Sequence, residues 1–92
     1  MLPIVWSADA EEDIFTILTY ITERNPLAAN NFWYLVNESI ETLSTYPNLY
    51  RKSERVAGTR ELVVTPNYVV SYQVFETEIL ILRVLHARQK FP

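Results

Sequence analysis

The chain contains no cysteine, one glycine, one histidine and two lysines among its 92 residues. Each scarcity excludes something. Without cysteine there are no disulfides and no thiolate metal sites, which suits a reducing, cytoplasmic setting. With one glycine, Gly58, no glycine-rich loop exists to cradle a nucleotide phosphate. One histidine without cysteine excludes the usual structural zinc ligand sets. No cofactor and no metal are therefore expected. Long apolar runs are also missing. "ILILRVL" at residues 79–85 is too short and too rich in β-formers to cross a bilayer, so no membrane contact is expected. The opening "MLPIVWSADAEED" has neither a basic start nor a long apolar core, so it does not read as a signal peptide.

What is present points to one folded domain over residues 1–92. Hydrophobic residues make up 49% and charged residues 21%, the balance of a globular chain. The net charge of −3 is unevenly divided. Residues 1–50 hold one basic and seven acidic residues, a balance of −6. Residues 51–92 hold seven basic and four acidic residues, a balance of +3. The acidic half argues against general coating of nucleic acid, and the basic half offers local attraction to an acidic partner.

Residues 2–6, "LPIVW", read as a short edge strand, because Pro3 lacks a backbone donor. Ser7 or Asp9 then caps a helix whose first turns carry Asp9, Glu11, Glu12 and Asp13. Such a cluster suits the positive end of the helix dipole and reads as a solvated first turn. Ile14, Ile17, Leu18 and Ile21 fall on one helical face. Asn25-Pro26 closes this helix and starts the next, with Asn25 as cap and Pro26 in the first position. Ala29, Trp33, Val36, Ile40 and Leu43 predict the buried stripe of the second helix. The short connection predicts an antiparallel helical hairpin.

A polar, basic stretch over residues 47–59 follows, then three β-like runs: "RELVVT", "YVVSYQVF" and "EILILRVLH". Their short connections predict an antiparallel meander. In the middle run Tyr68, Val70, Tyr72 and Val74 form an apolar face and the alternate positions a mixed one. The fold class is therefore α+β, in the order βααβββ: a small antiparallel sheet with an N-terminal helical hairpin packed on one face.

The chemistry rests on the basic residues. Arg51, Lys52 and Arg55 lie in the loop, Arg60 starts a strand, Arg83 interrupts an apolar strand, and Arg88 and Lys90 lie near the end of the chain. A guanidinium within a strand needs a partner or a wet groove. Either Arg83 pairs with a structural carboxylate such as Glu61, or Arg60 and Arg83 line one groove suited to phosphate or carboxylate. His86 is either an acid–base group or a strand-end histidine held by backbone. Strict alternation turns it away from Arg83 unless a bulge or strand end intervenes. No serine elbow of small residues supports a hydrolase.

Five stretches in this order carry a resemblance: "VWSADAEEDI", "YITERNPLAA", "YPNLYRKSERVAGTRELV", "PNYVVSYQV" and "ILRVLHARQKFP". Together they resemble the RelE/ParE superfamily of toxins of type II toxin–antitoxin modules, closest to the ParE, or plasmid-stabilisation, branch. The resemblance spans nearly the whole chain. It implies the α+β fold above and a cognate antitoxin, ParD-like or other, that wraps the toxin and contacts operator DNA on the complex's behalf. For a ParE-like member it implies growth arrest by inhibition of DNA gyrase through protein–protein binding. For a RelE-like member it implies cleavage of ribosome-bound mRNA by clustered basic residues, often with a C-terminal tyrosine.

Arg60 and Arg83 match basic positions shared across the superfamily, and His86 sits where some ribonuclease members have acid–base residues. On the ribonuclease alternative these three are the catalytic set. No tyrosine follows Tyr72, which departs from the ribonuclease pattern and favours the ParE side. The expected target-binding residues are then Arg60, Arg83, His86, Arg88 and Lys90. Trp6, Tyr20, Trp33 and Tyr34 are expected aromatic anchors for an antitoxin segment.

Overall fold

The structure, a computed structural model, describes residues 1–54 and 56–88. Strand β1 (Ile4–Trp6) leads into helix α1 (Ala8–Arg24) and helix α2 (Pro26–Thr45), followed by β2 (Arg60–Thr65), β3 (Tyr68–Val74) and β4 (Ile79–His86). The expected order βααβββ is what forms.

Caps set the helix boundaries. The Ser7 hydroxyl accepts from Ala10 N at 3.0 Å, and Asn25 Oδ1 accepts from Ala28 N at 3.1 Å. Pro26 opens α2, where its missing N–H costs nothing. Asn25 serves both helices, since its own N–H donates to Ile21 O at 2.7 Å. One residue thus ends α1 and starts α2, and this folds the hairpin back on itself.

The sheet order is β1-β4-β3-β2. β2, β3 and β4 form the antiparallel meander. The sheet is nevertheless mixed, because β1 pairs parallel to β4 with Ile4 opposite Ile79 and Trp6 opposite Ile81. Parallel neighbours need a long crossover, which the helical hairpin and the meander supply. Short connections dictated direction within the meander. No local signal set the direction of a pairing across some 75 positions of chain.

Helices and sheet enclose one core. Val36 and Leu43 of α2 meet Leu62, Val70, Tyr72, Ile79 and Ile81 of the sheet, and all of these side chains are fully buried. Each such burial contributes about 1.5–3 kcal/mol relative to exposure for the aliphatic members. The buried stripe of α2 is Ala29, Phe32, Val36, Ile40 and Leu43. Phe32 thus takes the core position expected of Trp33, and its ring lies 5.0 Å from that of Tyr68. Both residues fit a helical repeat. The choice fell to the sheet, which presents Tyr68 at that height. Trp33 turns instead to the β1 edge, 6.1 Å from Trp6, and stays 40% exposed.

Candidate functional site

β1 stops alongside Ile81, so the outer edge of β4 beyond that point lacks a strand partner. The start of α1 covers it. Ser7 Oγ donates to Leu82 O at 2.9 Å, and Asp13 Oδ2 accepts from Val84 N at 3.0 Å. The same carboxylate grips Arg83: Nε donates to Oδ2 at 2.7 Å and Nη2 to Oδ1 at 3.0 Å. This is a bidentate, charge-assisted pair, among the stronger hydrogen-bonding arrangements available to side chains. The Asp13 hydrogen bond is the main cause that raises the Arg83 pKa, and the charges of Asp13, Asp9 and Glu12 add to it.

Two expectations change here. The carboxylate partner of Arg83 is Asp13 of α1, not Glu61, which lies two strands away on β2. Glu61 instead accepts from Arg51 at 3.4 Å and from the Ser53 hydroxyl at 3.2 Å. The acidic opening of α1 is also more than a solvated turn, since it supplies the counter-charge of a strand arginine 70 positions away.

A bulge shapes the position of Arg83. Ser71 stands opposite Arg83 and Tyr72 opposite Ile81, which leaves Leu82 as the extra residue. Leu82 and Arg83 both line a cavity of about 200 Å³ with Asp9, Val56, Thr59 and Ser71. Ile81 belongs to the helix-side core instead. The bulge therefore sets Ile81 and Arg83 on different faces, contrary to simple alternation.

Arg60 and Arg83 do not share a groove. Arg60 stands opposite Tyr72, on the helix side of the sheet, and Arg83 opposite Ser71, on the other side. The Arg60 guanidinium donates from Nη1 to Tyr50 O at 2.7 Å. Beside it, Tyr72 is fully buried and donates its hydroxyl to Pro47 O at 3.2 Å. Burial pushes the Tyr72 phenol up, and the Arg60 charge offsets part of that.

His86 lies opposite Tyr68, with ring centroids 5.4 Å apart in an edge-to-face arrangement. Its Nδ1 accepts from Arg88 N at 3.2 Å, the backbone satisfaction anticipated for a strand-end histidine. Register places it with Val84 on the helix side, so Arg83 and His86 point to opposite faces. His86 opens on a groove of about 570 Å³ between α1 and the β3–β4 end, lined also by Glu12, Asp13, Thr16, Tyr20 and Asn67. Asp13 lines this groove and also grips Arg83. Among the described residues, the carboxylates of Glu12 and Asp13 share the groove with His86, and no lysine or arginine lines it.

Arg88 is exposed. Arg55 and Lys90 lie outside the described residues, as does the chain beyond Arg88. The four aromatic candidates are divided among three places. Trp6 and Trp33 pair with each other at the β1 edge. Tyr20 borders the His86 groove and carries the Arg24 guanidinium 3.6 Å above its ring. Tyr34 is 69% exposed on α2, where a hydrogen bond with Glu38 and that residue's charge raise its pKa. Sequence reading passed over Phe15 and Leu27, which are 72% and 68% exposed on the hairpin. Apolar residues off the buried stripe were the available signal.

Comparison with known proteins agrees with this geometry. Residues 4–91 match the family described as the ParE toxin of the type II toxin–antitoxin system parDE. Toxin RelE2 of Caulobacter vibrioides is 36% identical over 87 residues, covering 95% of this chain and 97% of the relative. A chain of the chromosomal ParDE toxin–antitoxin system from P. aeruginosa superposes with a TM-score of 0.81 at 24% identity, covering 94% of this chain and 96% of that one. A chain of the E. coli DinJ–YafQ complex superposes with a TM-score of 0.61 at 15% identity over the full length of both.

Proposed function

This chain belongs to the ParE toxin family of type II toxin–antitoxin systems, and on that premise we propose that it is a ParE-like toxin that inhibits DNA gyrase by protein–protein binding. A cognate antitoxin, ParD-like or other, neutralises it, and operator DNA is reached only through that antitoxin. Growth arrest and plasmid stabilisation follow from that activity.

The observation that carries the reading is the fate of Arg83. Ribonuclease chemistry requires cations that face the scissile phosphate, together with a proton donor close to them. Here Arg83 is engaged by both oxygens of Asp13, in a field reinforced by Asp9 and Glu12. His86 faces the other side of the sheet, in a groove rimmed by Glu12. A phosphate approaching either residue meets negative charge first. Protein–protein inhibition needs no such constellation. Arg60 and Arg88 remain the basic residues that the reading assigns to target contact, with Lys90 beyond the described segment.

Supercoiling by purified gyrase, with the antitoxin-free chain added, tests this directly. Inhibition at micromolar toxin is the expected result. Untouched gyrase, together with cleaved ribosome-bound message in arrested cells, would overturn it.

One observation favours the second reading, a RelE-like ribosome-dependent mRNA endonuclease that uses Arg60, Arg83 and His86. The Caulobacter relative, similar along nearly its whole length, bears the name RelE2. On that reading His86→Ala abolishes message cleavage.

A further inference from the structure

The loop after α2 lays a fragment of strand against the outer edge of β2. Ser53 N donates to Thr59 O at 2.8 Å, and Glu61 N donates to Arg51 O at 3.0 Å. These two bonds flank an isolated antiparallel pair, Lys52 opposite Arg60. With the hydrogen bonds on the flanking residues, this is the non-hydrogen-bonded kind of pair, in which side chains stand closest. Like charges placed directly opposite one another destabilise such a pair.

Three other described cations have counter-charges: Arg24 with Glu23, Arg51 with Glu61, Arg83 with Asp13. Among the described residues, neither Lys52 nor Arg60 has a carboxylate partner. The bond from Arg60 to Tyr50 O fixes the guanidinium without neutralising it. Both side chains line a cavity of about 470 Å³, together with Asn48, Ser53, Thr59 and Val74, and its lining holds no acidic side chain. The Ser53 and Thr59 hydroxyls already donate, to Glu61 and to Val56 O. The donors left to a ligand are the Lys52 ammonium, the rest of the Arg60 guanidinium and the Asn48 carboxamide.

We propose that this cavity is a carboxylate-binding site that docks an Asp or Glu side chain of a protein partner between Lys52 and Arg60. Two adjacent cations, one of them an immobilised planar fork, match a single carboxylate. A nucleic acid is the poorer match. Its affinity comes from many phosphate contacts, and among the described residues two cations line this cavity, on a chain of net charge −3. The inference rests on the proposed function only in taking the partner to be a protein. It adds Lys52 and Asn48 to the contact and defines the chemistry that contact recognises.

Amide NMR of the ¹⁵N-labelled chain tests it with three probes: a capped glutamate-containing peptide, the same peptide with glutamine, and a short single-stranded RNA. The expected result is saturable shifts at Gly58, Thr59, Arg60 and Val74 with the glutamate peptide only. Lys52→Gln weakens that binding about tenfold, the loss of one charge-assisted contact, while the Val36 and Val70 amides stay in place and report an intact core. Absence of any response, an equal response to the glutamine peptide, or RNA acting at lower concentration would each overturn the assignment. Gyrase supercoiling measured in parallel separates the two ideas. Peptide binding without gyrase inhibition sinks the gyrase reading alone, and inhibition without peptide binding sinks the site alone.

Discussion

Asp13 of α1 holds Arg83 of β4 through both carboxylate oxygens, at 2.7 and 3.0 Å. The same carboxylate accepts the backbone N–H of Val84, so a single side chain covers the strand edge and neutralises the charge that interrupts it. Removal of Asp13 therefore leaves three donors, two on the half-buried Arg83 guanidinium and the Val84 N–H, without this acceptor. Asp13→Ala is expected to destabilise the fold by about 2–4 kcal/mol, the range for losing charged hydrogen bonds at a partly buried site. Urea denaturation checks this. A loss below about 0.5 kcal/mol, the level of an ordinary surface substitution, would mean that the pair is ornamental.

A double-mutant cycle separates positioning from contact at the same pair. If Arg83 acts on the target only by holding the β4 edge, Arg83→Gln and Asp13→Asn reduce toxicity in parallel with stability. The double variant is then little worse than either single one, because the second change removes a group whose partner has already gone. A double variant with losses that simply add would give Arg83 a direct role.

Phe32 holds the core position expected of Trp33, and mutation reads that difference. Phe32→Ala is expected to cost about 3–5 kcal/mol, the range for emptying an aromatic core site. Trp33→Ala is expected to cost about 1–2 kcal/mol, since the residue stays 40% exposed and loses mainly the Trp6 contact. Thermal or chemical denaturation orders the two. The reverse order would restore Trp33 to the core.

Tyr72 sets an alkaline limit. Burial raises its pKa, so the folded chain keeps the phenol protonated where the unfolded chain has begun to release it. The folded state then binds more protons, and stability falls as pH rises. The Tyr72 contribution is intact below the unfolded value, about 10, and is lost as pH climbs through the raised folded value. Denaturation measured from pH 8 upward should show this decline, and Tyr72→Phe should flatten it. The variant also loses the bond to Pro47 O, at about 1 kcal/mol near neutral pH. An alkaline limb of the same slope in the variant would assign the decline to other tyrosines.

Gly58 sits at φ 82°, and a Cβ there would meet nothing within 4 Å. Gly58→Ala therefore carries backbone strain without a clash. The expected cost is about 1–2 kcal/mol, read by thermal denaturation, with peptide binding at the Lys52–Arg60 cavity retained if the loop keeps its path.

Local signals along the chain are enough for the elements and their order. Caps and breakers such as Ser7, Asn25 and Pro26 act within a few residues. Periodicity over Ile14–Ile21 and Tyr68–Val74 likewise marks buried faces without reference to the rest of the chain. The tertiary structure decided what depended on distant pairs. It chose Phe32 over Trp33, because both satisfy the helical repeat and only the facing sheet distinguishes them. It joined β1 to β4 in parallel and so left the later part of β4 for α1 to cover. It gave Arg83 to Asp13 rather than Glu61, and it set Arg60 opposite Lys52 through a loop with no period of its own. Local signals report which face a residue prefers. Which charge it meets there depends on how the chain returns, and that is fixed only when helix, loop and sheet pack together.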